Sequence, residues 1–398
     1  MAKHRTSIRG QAAIVGAHDI VSPTGKLDGT ERQLEVRAIR AALDDAGLKL
    51  SDVDGLLCTG MMMPSMDLAE HLGIQPRYTD TTMTGGSSFE VMVEHAALAI
   101  TCGLCEVAII VYAATPRAKG GGRKYAAMMQ AMMEPGNPPP MAEWELPYGL
   151  LSPSGAYALA ASRHMHVYGT TPEQLAQIAV STRQWASMNK NARYQEPITI
   201  DDVLASPYVA EPLHRLDCCL VTDGAGAIVM TSAERAKDLR KPPVYVLGAA
   251  THHDHAMMIA QMPDLTRTAG AVSGPRAFEM AGITPRDVDV FEGYDSFTIT
   301  LLLHLEDLGF CPKGEGGRFV EGNRLGPGGS LPTNTNGGGL SYTHPGMYGM
   351  FLLVEATRQL RGECNDRQVS DAEIAVAHGC GGILSSTGTI VLGTEGTL

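Results

Sequence analysis

Two kinds of hydrophobic spacing alternate along the chain, and they return in the same order in its second half. Residues 12–17 (A-A-I-V-G-A) form an unbroken apolar run of the kind a buried strand carries. Residues 34–46 then show helical spacing, closed by Gly47 where a left-handed residue ends a helix. The stretch 42–54 (A-L-D-D-A-G-L-K-L-S-D-V-D) aligns without a gap on 277–289 (A-F-E-M-A-G-I-T-P-R-D-V-D). Ala42, Ala46, Gly47, Asp52, Val53 and Asp54 recur there as Ala277, Ala281, Gly282, Asp287, Val288 and Asp289. Upstream, Ile14-Val15-Gly16-Ala17 is echoed by Val246-Leu247-Gly248-Ala249. Downstream, Val93-Glu94 in a predicted helix at 87–101 matches Val354-Glu355 in one at 349–361. The predicted strands at 106–109 and 226–230 match 373–376 and 388–392.

Each half therefore reads strand, helix, strand, buried helix, strand, strand. A period of about half the chain predicts a duplicated α/β protein, divided at 1–240 and 241–398, and not a solenoid. The first half carries an insertion at roughly 115–221. Within it lie a basic glycine-rich turn (Lys119, Arg123, Lys124), a methionine- and proline-rich stretch at 128–141, and helices at 154–167 and from Thr171-Pro172 onward. The methionine-rich stretch suits a lid over an apolar substrate or simply a loop that packs with Met.

Composition narrows the class. With 398 residues, 44% hydrophobic and 19% charged, the chain has an ordinary soluble composition and room for two cores. A net charge of −12 without a long Lys/Arg run argues against nucleic acid. No long apolar run and no charged-then-apolar leader is present, which predicts a cytoplasmic protein without a membrane span. Eight cysteines are too sparse for a disulfide scaffold. Cys102 and Cys105 form one C-x-x-C without a second pair at zinc-ribbon spacing, so structural thiols are expected.

The densest candidate chemistry lies at 334–350, N-T-N-G-G-G-L-S-Y-T-H-P-G-M-Y-G-M. Gly337, Gly338 and Gly339 offer bare backbone N–H groups, and His344 follows beside a proline. The helix predicted directly after this loop would aim its N-terminal dipole at a developing negative charge.

Four stretches together resemble the thiolase superfamily, in its sterol-carrier-protein or lipid-transfer-protein branch: L-D-C-C-L-V-T-D-G-A-G-A-I-V-M at 216–230, F-E-G-Y-D-S-F-T at 291–298, N-G-G-G-L-S-Y-T-H-P-G at 336–346 and H-G-C-G-G at 378–382. The resemblance covers essentially the whole chain. It implies a five-layered αβαβα fold of two facing halves, a homodimer formed through the first half, and coenzyme A as part of the substrate with no bound cofactor or metal. The latter bears on His252-His253-Asp254-His255, which alone would suggest a metal. Relatives in this branch also work with a small partner carrying an OB fold and often a zinc ribbon.

The departures from the family pattern shape the expected chemistry. Thiolytic relatives place a nucleophilic cysteine before the first half's buried helix, where this chain has Met83, and a thioether cannot form an acyl-enzyme. Ser87 and Ser88 are nearby and are expected to cap that helix. The family's His-Asp-Cys-Phe is here Tyr294-Asp295-Ser296-Phe297, the Gly-His-Pro histidine is His344 after Thr343, and Cys380 is shifted relative to the usual Cys-x-Gly. What remains is retro-aldol cleavage of a β-hydroxyacyl-CoA, as in lipid-transfer-protein-type steroid side-chain aldolases, which needs a base, a proton donor and an oxyanion hole but no nucleophile. The expected assignment makes Tyr294 the base and Tyr342 or His344 the proton donor. Gly381 and Gly382, with His344, His378 and Cys380 in support, hold the thioester oxygen, and Asp295 orients the loop. Arg117, Lys119, Arg123 and Lys124 are expected to meet the CoA phosphates. The rival expectations are a thiolase-type acyltransferase and a non-catalytic acyl-CoA-binding subunit.

Overall fold

The computed structural model describes residues 7–118 and 139–398. Lys119, Arg123, Lys124 and most of the methionine-rich stretch lie outside the described residues.

Eleven strands are present among the described residues: β1 (Ala12–Ile20), β2 (Gly55–Cys58), β3 (Tyr78–Thr81), β4 (Val107–Ala114), β5 (Tyr208–Ala210), β6 (Leu213–His214), β7 (Gly224–Ser232), β8 (Val244–His253), β9 (Val290–Gly293), β10 (Ile374–Gly381) and β11 (Ser386–Gly393). Nine of them form one sheet in the order β3-β2-β4-β7-β1-β8-β11-β10-β9, while β5 and β6 make a separate hairpin. Read outward from its centre, the sheet runs β1-β7-β4-β2 in one direction and β8-β11-β10-β9 in the other, with antiparallel, antiparallel, parallel pairing in both. The internal repeat of the sequence is thus a repeat of topology, and β3 is the added edge strand of the first half. The halves join where Ala13 pairs with Tyr245 and Ile14 with Val244.

The helices that matter here are α1 (Glu31–Ala46), α2 (Pro64–Leu72), α3 (Ser88–Thr101), α4 (Pro153–Tyr168), α5 (Pro172–Ser187), α6 (Gly270–Ala281), α7 (Thr298–Asp307) and α8 (Gly349–Leu360). α1 packs on β1 and β7, and α6 packs in the same way on β8 and β11. Between the two halves lie α3 and α8, which touch each other and strands of both halves. Both are apolar over most of their circumference, as helices without a solvent face must be. This is the expected αβαβα layering. No helix among the described residues is long and apolar enough to cross a membrane.

The repeated residues have one physical job in each half. A Cβ on Gly16 would stand 2.1 Å from the Ala42 carbonyl oxygen, and one on Gly248 would stand 2.2 Å from that of Ala277, so each glycine lets a helix lie directly on its strand. Gly47 and Gly282 end the two helices at φ 73° and 71°. Asp54 accepts from the backbone N–H groups of Glu106 and Val107, and Asp289 does the same for Glu373 and Ile374, tying each short strand to its parallel neighbour.

Candidate functional site

Tyr294 follows the last residue of β9, and its backbone N–H donates to the His378 carbonyl of β10 at 2.9 Å. Its ring enters the space left by a missing side chain: a Cβ on Gly86 would lie 2.2 Å from Tyr294 Cε2. The hydroxyl pairs with His344 Nε2 at 3.1 Å and accepts the backbone N–H of Tyr348 at 3.1 Å. Tyr348 precedes α8, so a helix-terminal amide without an intrahelical acceptor finds its partner on the phenol. The Tyr348 hydroxyl in turn donates to Asn336 Oδ1 at 2.7 Å, which anchors the turn.

Burial raises Tyr294 well above the ordinary phenol range, helped by the neighbouring Cys219, Tyr157 and Cys380, while the Tyr348 amide acts in the opposite sense. Burial also lowers His344 to about 4. The pair at neutral pH is therefore a neutral phenol hydrogen-bonded to a neutral imidazole, and the phenol is the donor in the tautomer that leaves Nε2 unprotonated. One lone pair on the phenol oxygen is left for a substrate hydroxyl.

The segment just before β7 holds both partners in place. The Cys219 N–H donates to the Ser296 carbonyl at 2.9 Å and the Leu220 N–H to the Gly339 carbonyl at 2.9 Å. Thr222 Oγ1 meets Thr343 Oγ1 at 2.8 Å and accepts from the His344 N–H at 2.8 Å. Asp295 is fully buried and accepts from the Gly339 N–H at 2.7 Å, which binds the glycine loop to the Tyr294 turn. Burial pushes Asp295 up to about 7 against the amides of Gly339 and Leu340.

Several expected residues lie elsewhere. Tyr342 ends a tight turn at Gly338–Tyr342 that sends its hydroxyl to Asp19 at 2.5 Å, and Asp19 is paired with Arg358 at 2.7 Å. Tyr342 is thus tied to β1, and its partner Asp19 lines a separate concavity of about 1110 Å³. His378 is likewise turned away from the start of α3. Along β10, a Cβ on Gly379 or Gly381 would run into Glu90 and Thr84 at the start of the first half's buried helix, whereas His378 points the other way, to Thr389 Oγ1 at 2.9 Å and the His304 ring at 4.4 Å. Ser87 does not cap α3 with its side chain; its hydroxyl meets Ser386 Oγ at 2.8 Å, which meets His253 Nδ1 at 2.7 Å. His252 pairs with Asp254 and His255 with the Ile383 carbonyl, so the three neighbouring histidines face three different partners.

Other expected residues do gather. The turn following Met83 adjoins the C-terminal glycines, since a Cβ on Gly85 would lie 2.8 Å from Gly382 N. Met83 itself is 55% exposed. Cys380 is a buried neighbour of Tyr294, its thiol pushed up to about 12 by burial. Arg117 lies beside the Thr222 segment, with its backbone N–H on Asp223 at 2.9 Å. Tyr348, Tyr157, Cys219 and Glu90 complete the surroundings without having been singled out. Only Tyr348 had a signal, as the residue preceding a predicted helix in the glycine-loop stretch.

Residues 250–394 match the family model described as thiolase C-terminal domain-like. A steroid side-chain-cleaving aldolase of Thermomonospora curvata is 35% identical, over 97% of this chain and 98% of its own. A 17-hydroxy-3-oxo-4-pregnene-20-carboxyl-CoA lyase of Mycobacterium tuberculosis is 35% identical, over 94% of this chain and 97% of its own. Among solved structures, an Ltp2-ChsH2(DUF35) aldolase superposes with a TM-score of 0.87 at 33% identity, over 98% of this chain and 99% of that one.

Proposed function

The chain belongs to the thiolase superfamily, in its branch of lipid-transfer-protein-type steroid side-chain aldolases, and from that premise we propose that it cleaves a carbon–carbon bond of a β-hydroxyacyl-CoA by a retro-aldol reaction. The observation that carries the reading is the hydrogen bond between the neutral Tyr294 phenol and the neutral His344 imidazole, read in the tautomer with Nε2 unprotonated, with Met83 at the position where the family pattern has its nucleophile. Tyr294 takes the proton of the β-hydroxyl as its own proton passes to His344 Nε2. The Cα–Cβ bond breaks, a carbonyl compound leaves, and the electron pair forms a thioester enolate. Because the phenol gains one proton while losing another, the reaction does not require a free phenolate, which burial disfavours. The N-terminus of α8 and the turn at Gly381 and Gly382 supply the positive ends of backbone dipoles on the enolate side.

Arg117, with Lys119, Arg123 and Lys124 following it in the sequence, would supply the charge that meets the CoA phosphates. The reading includes a homodimer through the free edge of β3. That edge lies beside Met61, Met62 and Met63, which are 87%, 90% and 71% exposed. It also includes a DUF35-type partner like the one named with the aldolase structure.

The test is product analysis by mass spectrometry on paired β-hydroxyacyl-CoA and β-ketoacyl-CoA substrates, with and without such a partner. Retro-aldol cleavage of 17-hydroxy-3-oxo-4-pregnene-20-carboxyl-CoA breaks the bond between the hydroxyl-bearing carbon and the thioester α-carbon, leaving a ring ketone and propionyl-CoA. Turnover of the hydroxy compound alone is the expected result. Turnover confined to the keto compound overturns it.

A further inference from the structure

With Tyr342 tied to Asp19, the enolate carbon has no assigned proton donor, and a file of hydroxyls beside the Gly381–Gly382 turn stands unused. Ser87 precedes α3 and is placed to cap it, yet its side chain makes no capping bond. Its oxygen lies instead 3.1 Å from Thr84 Oγ1 and 2.8 Å from Ser386 Oγ, with the Thr84 carbonyl also at 3.1 Å. Ser386 Oγ in turn lies 2.7 Å from His253 Nδ1. The sheet builds this file. Ser386 opens β11, where it pairs with Gly381 on β10 and with His253 on β8, so the three positions look to the same face. That face lies against the start of α3. A Cβ on Gly381 would collide with the Thr84 carbonyl and come within 2.9 Å of Ser87 Oγ, so glycine there leaves the hydroxyls room to meet.

The middle of the file is closed and both ends are open. Ser87 and Ser386 are buried, whereas His253 is an exposed residue at the end of β8. Thr84 is partly exposed, follows Met83, and stands two positions before Gly86, which makes room for the Tyr294 ring. Between them Gly85 packs on the C-terminal glycines, since a Cβ there would lie 2.8 Å from Gly382 N. The inner end of the file thus belongs to the turn that flanks both the phenol ring and the glycines on the enolate side. A hydroxyl accepts on a lone pair while donating its one proton, so each member can take a proton from one neighbour and pass another on. A buried alkoxide or oxonium is costly, so the protons must move together.

Resting on the retro-aldol reading above, we propose that Thr84 is the catalytic residue that protonates the enolate carbon, and that Ser87, Ser386 and His253 form the relay that supplies it from solvent. The Thr84 Oγ1–H bond breaks and a Cα–H bond forms with the enolate electron pair. In the same step Thr84 takes the proton of Ser87, Ser87 that of Ser386, and Ser386 the Nδ1 proton of His253, whose Nε2 draws one from water. The β-hydroxyl proton, held on His344 in the same reading, goes to solvent by its own route and balances the one drawn in. The three hydroxyls then rotate back, and the exposed ring turns to reload Nδ1 from water.

The experiment reads the reverse of this step, loss of α-deuterium from deuterated propionyl-CoA in water, followed by mass spectrometry with the full chain and a DUF35-type protein. Thr84→Val, Ser386→Ala and His253→Ala should each slow exchange by roughly 10²-fold, and Thr84→Ser should recover most of what Thr84→Val loses. His252→Ala, outside the file and paired with Asp254, should stay within a few-fold of wild type. Added imidazole should restore exchange to His253→Ala and not to Ser386→Ala, a split that a packing defect would not produce. In wild type the rate across mixtures of H2O and D2O should fall along a bowed curve, because several protons move together; this readout needs no variant to fold. Exchange by His253→Ala and Ser386→Ala at the wild-type rate overturns the proposal, as does a straight line in the mixed solvents. Product analysis on a β-hydroxyacyl-CoA is scored separately. Cleavage with exchange untouched in the variants removes the relay alone, and relay-dependent exchange without cleavage removes the retro-aldol reading alone.

Discussion

Tyr294 and Tyr342 are both buried phenols beside the same glycine loop, 4% and 2% exposed, and their partners set them in opposite electrostatic surroundings. Tyr342 donates to a carboxylate that Arg358 fixes. Its proton has nowhere to go, because a phenolate there would face Asp19 across a single hydrogen bond. Tyr294 donates to an uncharged ring and accepts an amide, so a proton can enter on one side and leave on the other without building charge on the oxygen. On the proposed reading the arrangement at Tyr294 suits proton transfer and that at Tyr342 suits bracing.

The sharpest way to break this contrast is to remove each hydroxyl in turn. Tyr294→Phe should lower kcat by roughly 10²–10⁴-fold while binding of a CoA ester, followed by calorimetry, stays within a few-fold. Tyr294→Phe at wild-type kcat would remove the distinction altogether. On the other side, Asp19→Asn leaves the partly exposed Arg358 guanidinium without its counter-ion and weakens two charge-assisted hydrogen bonds, and should cost about 3 kcal/mol in a urea unfolding titration. The pH dependence has a definite sign. Burial pushes Asp19 up, but Arg358 and the Tyr342 hydrogen bond outweigh it and leave the carboxyl below its usual value. The stability it contributes is therefore present above the unfolded carboxyl pKa of about 4 and is lost as pH falls through the lower folded value. Asp19→Asn should flatten that acid limb. Tyr342→Phe has the smallest expected effect, about 1.5–3 kcal/mol of stability for one hydrogen bond to a charged group, with kcat unchanged within about two-fold. A loss of kcat as large as that of Tyr294→Phe would make Tyr342 a reagent after all.

Much of the fold was legible because its causes are local or repeated. Gly16 against Ala42 and Gly248 against Ala277 are the same strand-to-helix approach made twice, and the aspartates at 54 and 289 are the same strand tie. The resemblance to the family brought His344 and His378 forward as candidate neighbours of Tyr294, and the structure pairs it with His344. What stayed hidden depends on direction, which spacing does not encode. Tyr342 is two positions from His344, yet the turn at Gly338–Tyr342 rotates its hydroxyl to β1. His378 and Gly379 are neighbours on β10 and face opposite sides of the sheet. Glu90 reads as one polar residue in an apolar helix until three glycines from the other half close around it.

The proposed account stands on cleavage without a covalent acyl intermediate, on the expectation that Met83 takes the place of the family's attacking thiol. The direct test is to incubate the protein, with and without a DUF35-type protein, with a β-hydroxyacyl-CoA in the complete absence of free coenzyme A, and to follow release of the shortened acyl-CoA and the intact protein mass together. Sustained multiple turnover with an unmodified protein mass is the predicted result. A strict requirement for added coenzyme A, or an acyl adduct on the chain, would contradict it.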